Sequence, residues 1–190
     1  MADTVQLSYW LRGYTEFNML PLYERVLRRF PYSRLAPQGM LRVFALDYGQ
    51  PAVLEEEVDE ASDTPAVMAL VKEHFHNDCC FQLDCCWDLW HFNEEWSLKP
   101  CAVSIACFAP YFESAWGEQI QFDLGMDSLY LPDGEALSNP RAVRSNIRSV
   151  LHLAEDMSRI LPVEKRSLWS DSGENLAGRL QAVVDGEEES

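Results

Sequence analysis

The sequence predicts an α+β protein, with a single antiparallel or mixed sheet and helices packed mainly on one face. Three observations carry this expectation. Residues 78–91 alternate apolar and polar side chains, the period of a strand with one buried face. Residues 143–161 instead repeat apolar side chains every three or four positions, the period of an amphipathic helix. Along the whole chain the two kinds of pattern follow in the order β-α-β-β-α-β-β-β-β-α, with a short helix after them.

The first strand is VQLSYWLR, which places Val5, Leu7, Tyr9 and Leu11 on one face and Gln6, Ser8, Trp10 and Arg12 on the other. A helix follows in NMLPLYERVLRRFP. Asn18 is its expected cap, Leu20, Tyr23, Val26, Leu27 and Phe30 its apolar stripe, and Pro31 its stop. Arg28 and Arg29 suit the negative end of its dipole. MLRVFALDYG and PAVLEEEVD read as two strands joined around Gly49-Gln50-Pro51.

SDTPAVMALVKEHF reads as a second helix. Thr64 is the expected cap, Pro65 the first helical residue, and Val67, Leu70, Val71 and Phe75 the inward side. The alternating strand comes next, then CAVSIACFAP, EQIQFDLG and a short last strand, DSLYLP. The longest helix begins near Ser138-Asn139-Pro140 and runs to about Leu161. Its stripe is Val143, Ile147, Val150, Leu151, Ala154, Met157 and Leu161. SGENLAGRLQAVV forms the final short helix. The expected organisation is one domain over residues 1–184 with an acidic, mobile end at 185–190. The first six elements follow the split βαβ order of ferredoxin-like folds, an analogy that concerns fold alone.

The stretch HFHNDCCFQLDCCWDLWH holds four of the six cysteines and three of the four histidines. Its period argues against a metal centre. In a strand the neighbours Cys79 and Cys80, like Cys85 and Cys86, point to opposite faces. Same-face Cys80 and Cys86 are six residues apart, about 20 Å. Zinc sites use spacings of C-x₂₋₄-C or H-x₃₋₅-H, which are absent. The thiols are therefore expected to be reduced and to bind no metal. Cys79 and Cys85 serve as small core residues, while Cys80 and Cys86 lie among carboxylates that disfavour the thiolate.

The chain of 190 residues carries a formal net charge of −16 with a pI near 4.5. Such a field repels phosphate backbones and anionic lipid, so neither nucleic acid nor a membrane is an expected partner. MADTVQLSYW lacks the basic and apolar regions of a secretory signal, and PCAVSIACFAPYF is too short to span a bilayer. A cytoplasmic protein is expected. There is no phosphate-binding glycine loop, nucleophile elbow or HExxH helix, so no enzyme motif and no cofactor is expected.

The rows opposite the core rows carry aromatics among carboxylates and amides. Trp10, Asp84, Asp88, Trp90 and Asp123 form the candidate recognition surface, in which aromatics supply area and carboxylates supply sign. The leading expectation is a small acidic binding or regulatory protein that neutralises a basic protein, as acidic toxin antidotes do. The aromatic density from Trp87 to Trp116 also suits a homo-oligomer. The alternative is an enzyme or small-molecule binder that holds a divalent cation beside the sheet with Asp84, Asp88 and His76.

Overall fold

A computed structural model describes residues 4–131, 140–170 and 176–185. Seven strands form one sheet: β1 (Thr4–Leu11), β2 (Gly39–Ala45), β3 (Leu54–Val58), β4 (Cys79–Asn93), β5 (Glu95–Phe108), β6 (Ile120–Met126) and β7 (Val163–Ser170). Four helices accompany them: α1 (Met19–Arg29), α2 (Thr64–Glu73), α3 (Pro140–Ile160) and α4 (Leu176–Asp185). Every strand pair is antiparallel, in the order β3-β2-β4-β5-β6-β1-β7. The α+β class is therefore as the sequence predicts. Among the described residues no helix is long and apolar enough to cross a membrane.

Alternation decides which face is buried. Cys79, Phe81, Leu83, Cys85, Trp87 and Leu89 of β4 all enter the main core, with Cys101, Val103, Ile105 and Cys107 of β5 beside them. The helices cover this face. Tyr23 of α1 donates to the Ile105 carbonyl, and Tyr9 of β1 donates to the Ala154 carbonyl of α3. Phe30, just after α1, packs edge-on against Trp87 and stacks on Phe122. These aromatic contacts lock α1 across the middle strands.

Several local features depart from expectation. The first six elements keep their predicted order, but β1 lies beyond β5 and β6, so the first four strands do not form a contiguous ferredoxin-like sheet. Asn18 does not cap α1; its side chain instead accepts from the Thr15 amide and donates to the Gly13 carbonyl. Asp63, rather than Thr64, caps α2 by accepting from the Ala66 amide. Leu70 is only half-buried, and Met68 takes the core position in its turn of α2. Within DSLYLP, Asp127–Leu129 forms a 3₁₀ turn instead of a strand, and Tyr130 tucks inward to donate to the Leu124 carbonyl. The last strand is β7, a segment with no strand period in its sequence. Ser138-Asn139 and the end at 186–190 lie outside the described residues.

The outer half of β4 runs past the end of β2. Asn146 of α3, 1% exposed, replaces the missing strand there. Its side-chain oxygen accepts from the Trp90 amide at 2.9 Å, and its amide nitrogen donates to the Trp90 carbonyl at 2.8 Å. The same nitrogen donates to the Leu129 carbonyl at 2.9 Å. A primary amide presents one acceptor and two donors in a plane, so it matches the edge of a strand.

Candidate functional site

The face of the sheet turned away from the helices carries the even residues of β4. Three adjacent strands place Asp84, Ser104 and Asp123 in one row. With strands about 4.8 Å apart, the two carboxylate-bearing backbones are about 10 Å from each other. Met40 of β2 and Gln6 of β1 extend this row on either side. The next row runs Glu55, Arg42, Gln82, Ala106, Gln121, Ser8 and Ser167. An open groove of about 670 Å³ is lined by Asp84, Ser104 and Asp123 of the first row and by Arg42 and Gln82 at one end of the second, and it extends away from the second row toward Ala102, Gly125 and Met126.

The charges in this groove are arranged unevenly. Arg42 forms ion pairs with Asp84 and with Glu55, and Gln82 donates to the Asp84 carboxylate at 2.7 Å. Among the described residues Asp123 has no basic partner; it accepts from the Gly125 amide at 3.1 Å. Burial raises its pKa above the usual carboxylate value, with the Gly125 hydrogen bond opposing. A partly desolvated carboxylate without a counter-ion is one that an incoming cation stabilises.

The five residues of the candidate surface do not form one patch. Asp84 and Asp123 share a row. Trp90 is six residues beyond Asp84 on β4, about 20 Å away along the strand. Trp10 lies four residues beyond Gln6 in the opposite direction, about 13 Å from the central row. Its ring carries the Lys165 ammonium 4.4 Å from the centroid, and its indole nitrogen donates to the Trp116 carbonyl. Asp88 is occupied locally, accepting from the Ser33 hydroxyl and from the Arg34 amide. The Ser33 hydroxyl oxygen in turn caps the 33–36 turn, accepting from the Leu35 and Ala36 amides, and the Ser33 amide donates to the Cys86 carbonyl. The cation constellation of Asp84, Asp88 and His76 is dispersed. His76 lies in the turn that precedes β4, eight residues before Asp84, and Asp88 is a further four residues along the strand. Among the described residues no group of three His, Cys, Asp or Glu side chains is arranged to hold a metal ion.

The cysteines divide as strand alternation requires, with one exception. Cys80 belongs to the open face but is fully buried in a second small cluster with Phe44, Ala106, Phe108 and Phe112. The Tyr48 hydroxyl lies 3.1 Å from its sulfur. Burial pushes the Cys80 and Cys85 thiols far up, Cys101 up to about 11 and Cys107 up to about 12. Cys86 is the one half-exposed thiol; burial raises its pKa and the Asp88 carboxylate adds to the rise. None is poised as a nucleophile.

Of the aromatic region, Trp87, Phe108 and Phe112 are buried, while Tyr111 and Trp116 are 71% and 67% exposed. Arg42 and Ser104 went unremarked in the sequence because their importance depends on strand register. Arg42 did carry one signal, as the polar residue between the core positions Leu41 and Val43. Comparison with protein-family models, with curated proteins and with solved structures gives no match.

Proposed function

We propose that this chain is a non-catalytic, cytoplasmic binding protein that receives a basic protein surface on the open face of its sheet. The observation that carries the reading is the half-buried row Asp84–Ser104–Asp123 lining its groove on the face turned away from the helices, in a chain of net charge −16. Asp123 supplies a carboxylate with no basic partner among the described residues, and Arg42 can release Asp84 while keeping its bond to Glu55 as a partner's cation arrives. The long-range field draws a basic partner in, and the groove gives a protruding Lys or Arg side chain somewhere to lie. Tryptophans at either end offer contact area beyond the central row, though not within it.

The test places a photo-crosslinking side chain at Ser104 and, as a control, at the exposed His152 on α3. The proposal expects one basic protein to be captured from cytoplasm at residue 104 but not at 152, and to be lost with Asp123→Lys. Equal capture at both positions, or capture indifferent to Asp123→Lys, would overturn it.

A further inference from the structure

The two edges of the sheet are chemically different. β7 carries Glu164, Lys165 and Arg166, charges of both signs. β3 reads Leu54-Glu55-Glu56-Glu57-Val58, three carboxylates in a row, and none of its described residues bonds to anything along its outer side. An exposed row of backbone donors and acceptors is a template for another strand. Three glutamates oppose pairing with a second copy of the same edge, because like charges would meet across the new ladder. They do not oppose pairing with a basic strand.

A second observation comes from α2, beside this edge. Val67, Met68 and Val71 bury one side of the helix in the core. Ala66, Ala69 and Leu70 make another apolar side, on which the two alanines are exposed and Leu70 is half-buried. A helix that is apolar on several sides is normally covered on all of them. Here the second apolar side forms the wall of a groove of about 610 Å³ between α2 and β3. Carboxylates rim the groove at Glu56, Glu57, Asp59, Glu60, Asp63 and Glu73, and among the described residues no basic one lines it.

The register fixes what each position would meet. Glu56 pairs with the core residue Leu41 and therefore lies on the helix side, above the alanines; Glu55 and Glu57 pair with Arg42 and Met40 on the open side. We infer that the outer edge of β3 and the adjoining wall of α2 bind an extended basic segment of a partner protein, which joins the sheet as an eighth strand. Its backbone would complete the ladder of β3, the mode in which main-chain bonds give affinity and alternate side chains give specificity. Side chains on one side would lie along Ala66, Ala69 and Leu70, where the stems of Lys or Arg can cover apolar surface while their heads reach the carboxylates. Those on the other side would face Glu55 and Glu57. The choice of a basic partner rests on the function proposed above; the location does not, because this surface lies at the edge rather than on the open face.

The probe is an acetylated, amidated Lys-Val-Lys-Val-Lys-Val peptide, with Glu-Val and Ser-Val repeats as controls. The Lys-Val peptide alone should bind, more weakly as salt rises, and should slow amide hydrogen exchange in Leu54–Val58. Ala69→Arg and Glu57→Lys should each weaken binding by about tenfold or more. Both residues are exposed, so the folded state of each variant is checked by circular dichroism. The double variant Asp84→Asn/Asp123→Asn should bind the peptide as well as the parent does. No binding, or binding that leaves β3 exchange unchanged or is indifferent to Ala69→Arg, overturns the inference. Peptide binding lost only in the Asp84/Asp123 variant overturns it while leaving the open-face reading intact. Self-association that protects Leu54–Val58 assigns the edge to a second copy and overturns it as well.

Discussion

Asn146 gives the most quantitative test of the architecture, because one buried amide serves three backbone groups. Replacing it by leucine keeps most of the volume but leaves the Trp90 N–H, the Trp90 C=O and the Leu129 C=O without partners. Each hydrogen bond contributes about 1 kcal/mol net, and a buried group left unpaired costs about 1–3 kcal/mol. Trp90 is half-buried, so water can reclaim part of its loss, whereas Leu129 is buried. The expected destabilisation is therefore about 3–5 kcal/mol for Asn146→Leu. Asn146→Asp should be no better near neutral pH, since a carboxylate can accept from Trp90 but turns its charge toward two carbonyl oxygens. It should recover part of the loss in acid, when the protonated group can donate once. Urea denaturation followed by tryptophan fluorescence measures both. A loss below about 1 kcal/mol for Asn146→Leu would refute the role given to this side chain, since it would fall below even one net hydrogen bond.

Two further outcomes follow from titratable groups. His91 Nε2 is buried with no partner among the described residues, and burial, reinforced by the Lys99 charge, holds its pKa below 6.5. Folding thus favours the neutral ring: its contribution is complete above about pH 6.5 and declines as pH falls through the folded-state pKa. Melting curves between pH 7.5 and 5 should show wild type losing more stability than His91→Phe, and parallel profiles would contradict this. Cys86 should be the first native thiol to react with a disulfide reagent at pH 8, slowly, with all six titrating in denaturant. A fast native thiol, or fewer than six on unfolding, would show a chemistry that this structure does not explain.

Much of the fold was legible because burial in a half-covered sheet leaves a period of two. β4 shows it over residues 79–89, each odd side chain reaching the core. α3 was equally plain, its stripe running from Val143 to Leu161. β7 escaped notice because it is an edge strand with Glu164, Lys165 and Arg166 exposed in succession, so no alternation survives. DSLYLP misled because Leu129 and Leu131 alternate like a strand, although the chain is turning there and Tyr130 is the buried anchor.

The candidate site was legible only by face. Alternation put Asp84, Asp88, Trp90, Trp10 and Asp123 on rows opposite the core, but distances along the face depend on strand order and register. Those brought Asp84 and Asp123 together across Ser104 and left the two tryptophans toward opposite ends. Side-chain pairing was invisible for the same reason: the capture of Asp88 by Ser33 links residues 55 positions apart, and the Arg42–Asp84 pair depends on the β2–β4 register. Leu70 looked like core because helical period identifies an apolar side without saying what covers it.

Recognition of a basic partner by the open face is tested by the salt dependence of association between this protein and the basic protein captured at residue 104. Stopped-flow measurements would compare wild type with Asp84→Asn/Asp123→Asn. The wild-type association rate should fall steeply from low to physiological salt while dissociation changes little, with slower association and a flatter salt dependence in the double variant. An association rate independent of salt, or one unchanged by neutralising Asp84 and Asp123, would contradict recognition of a basic partner by the open face.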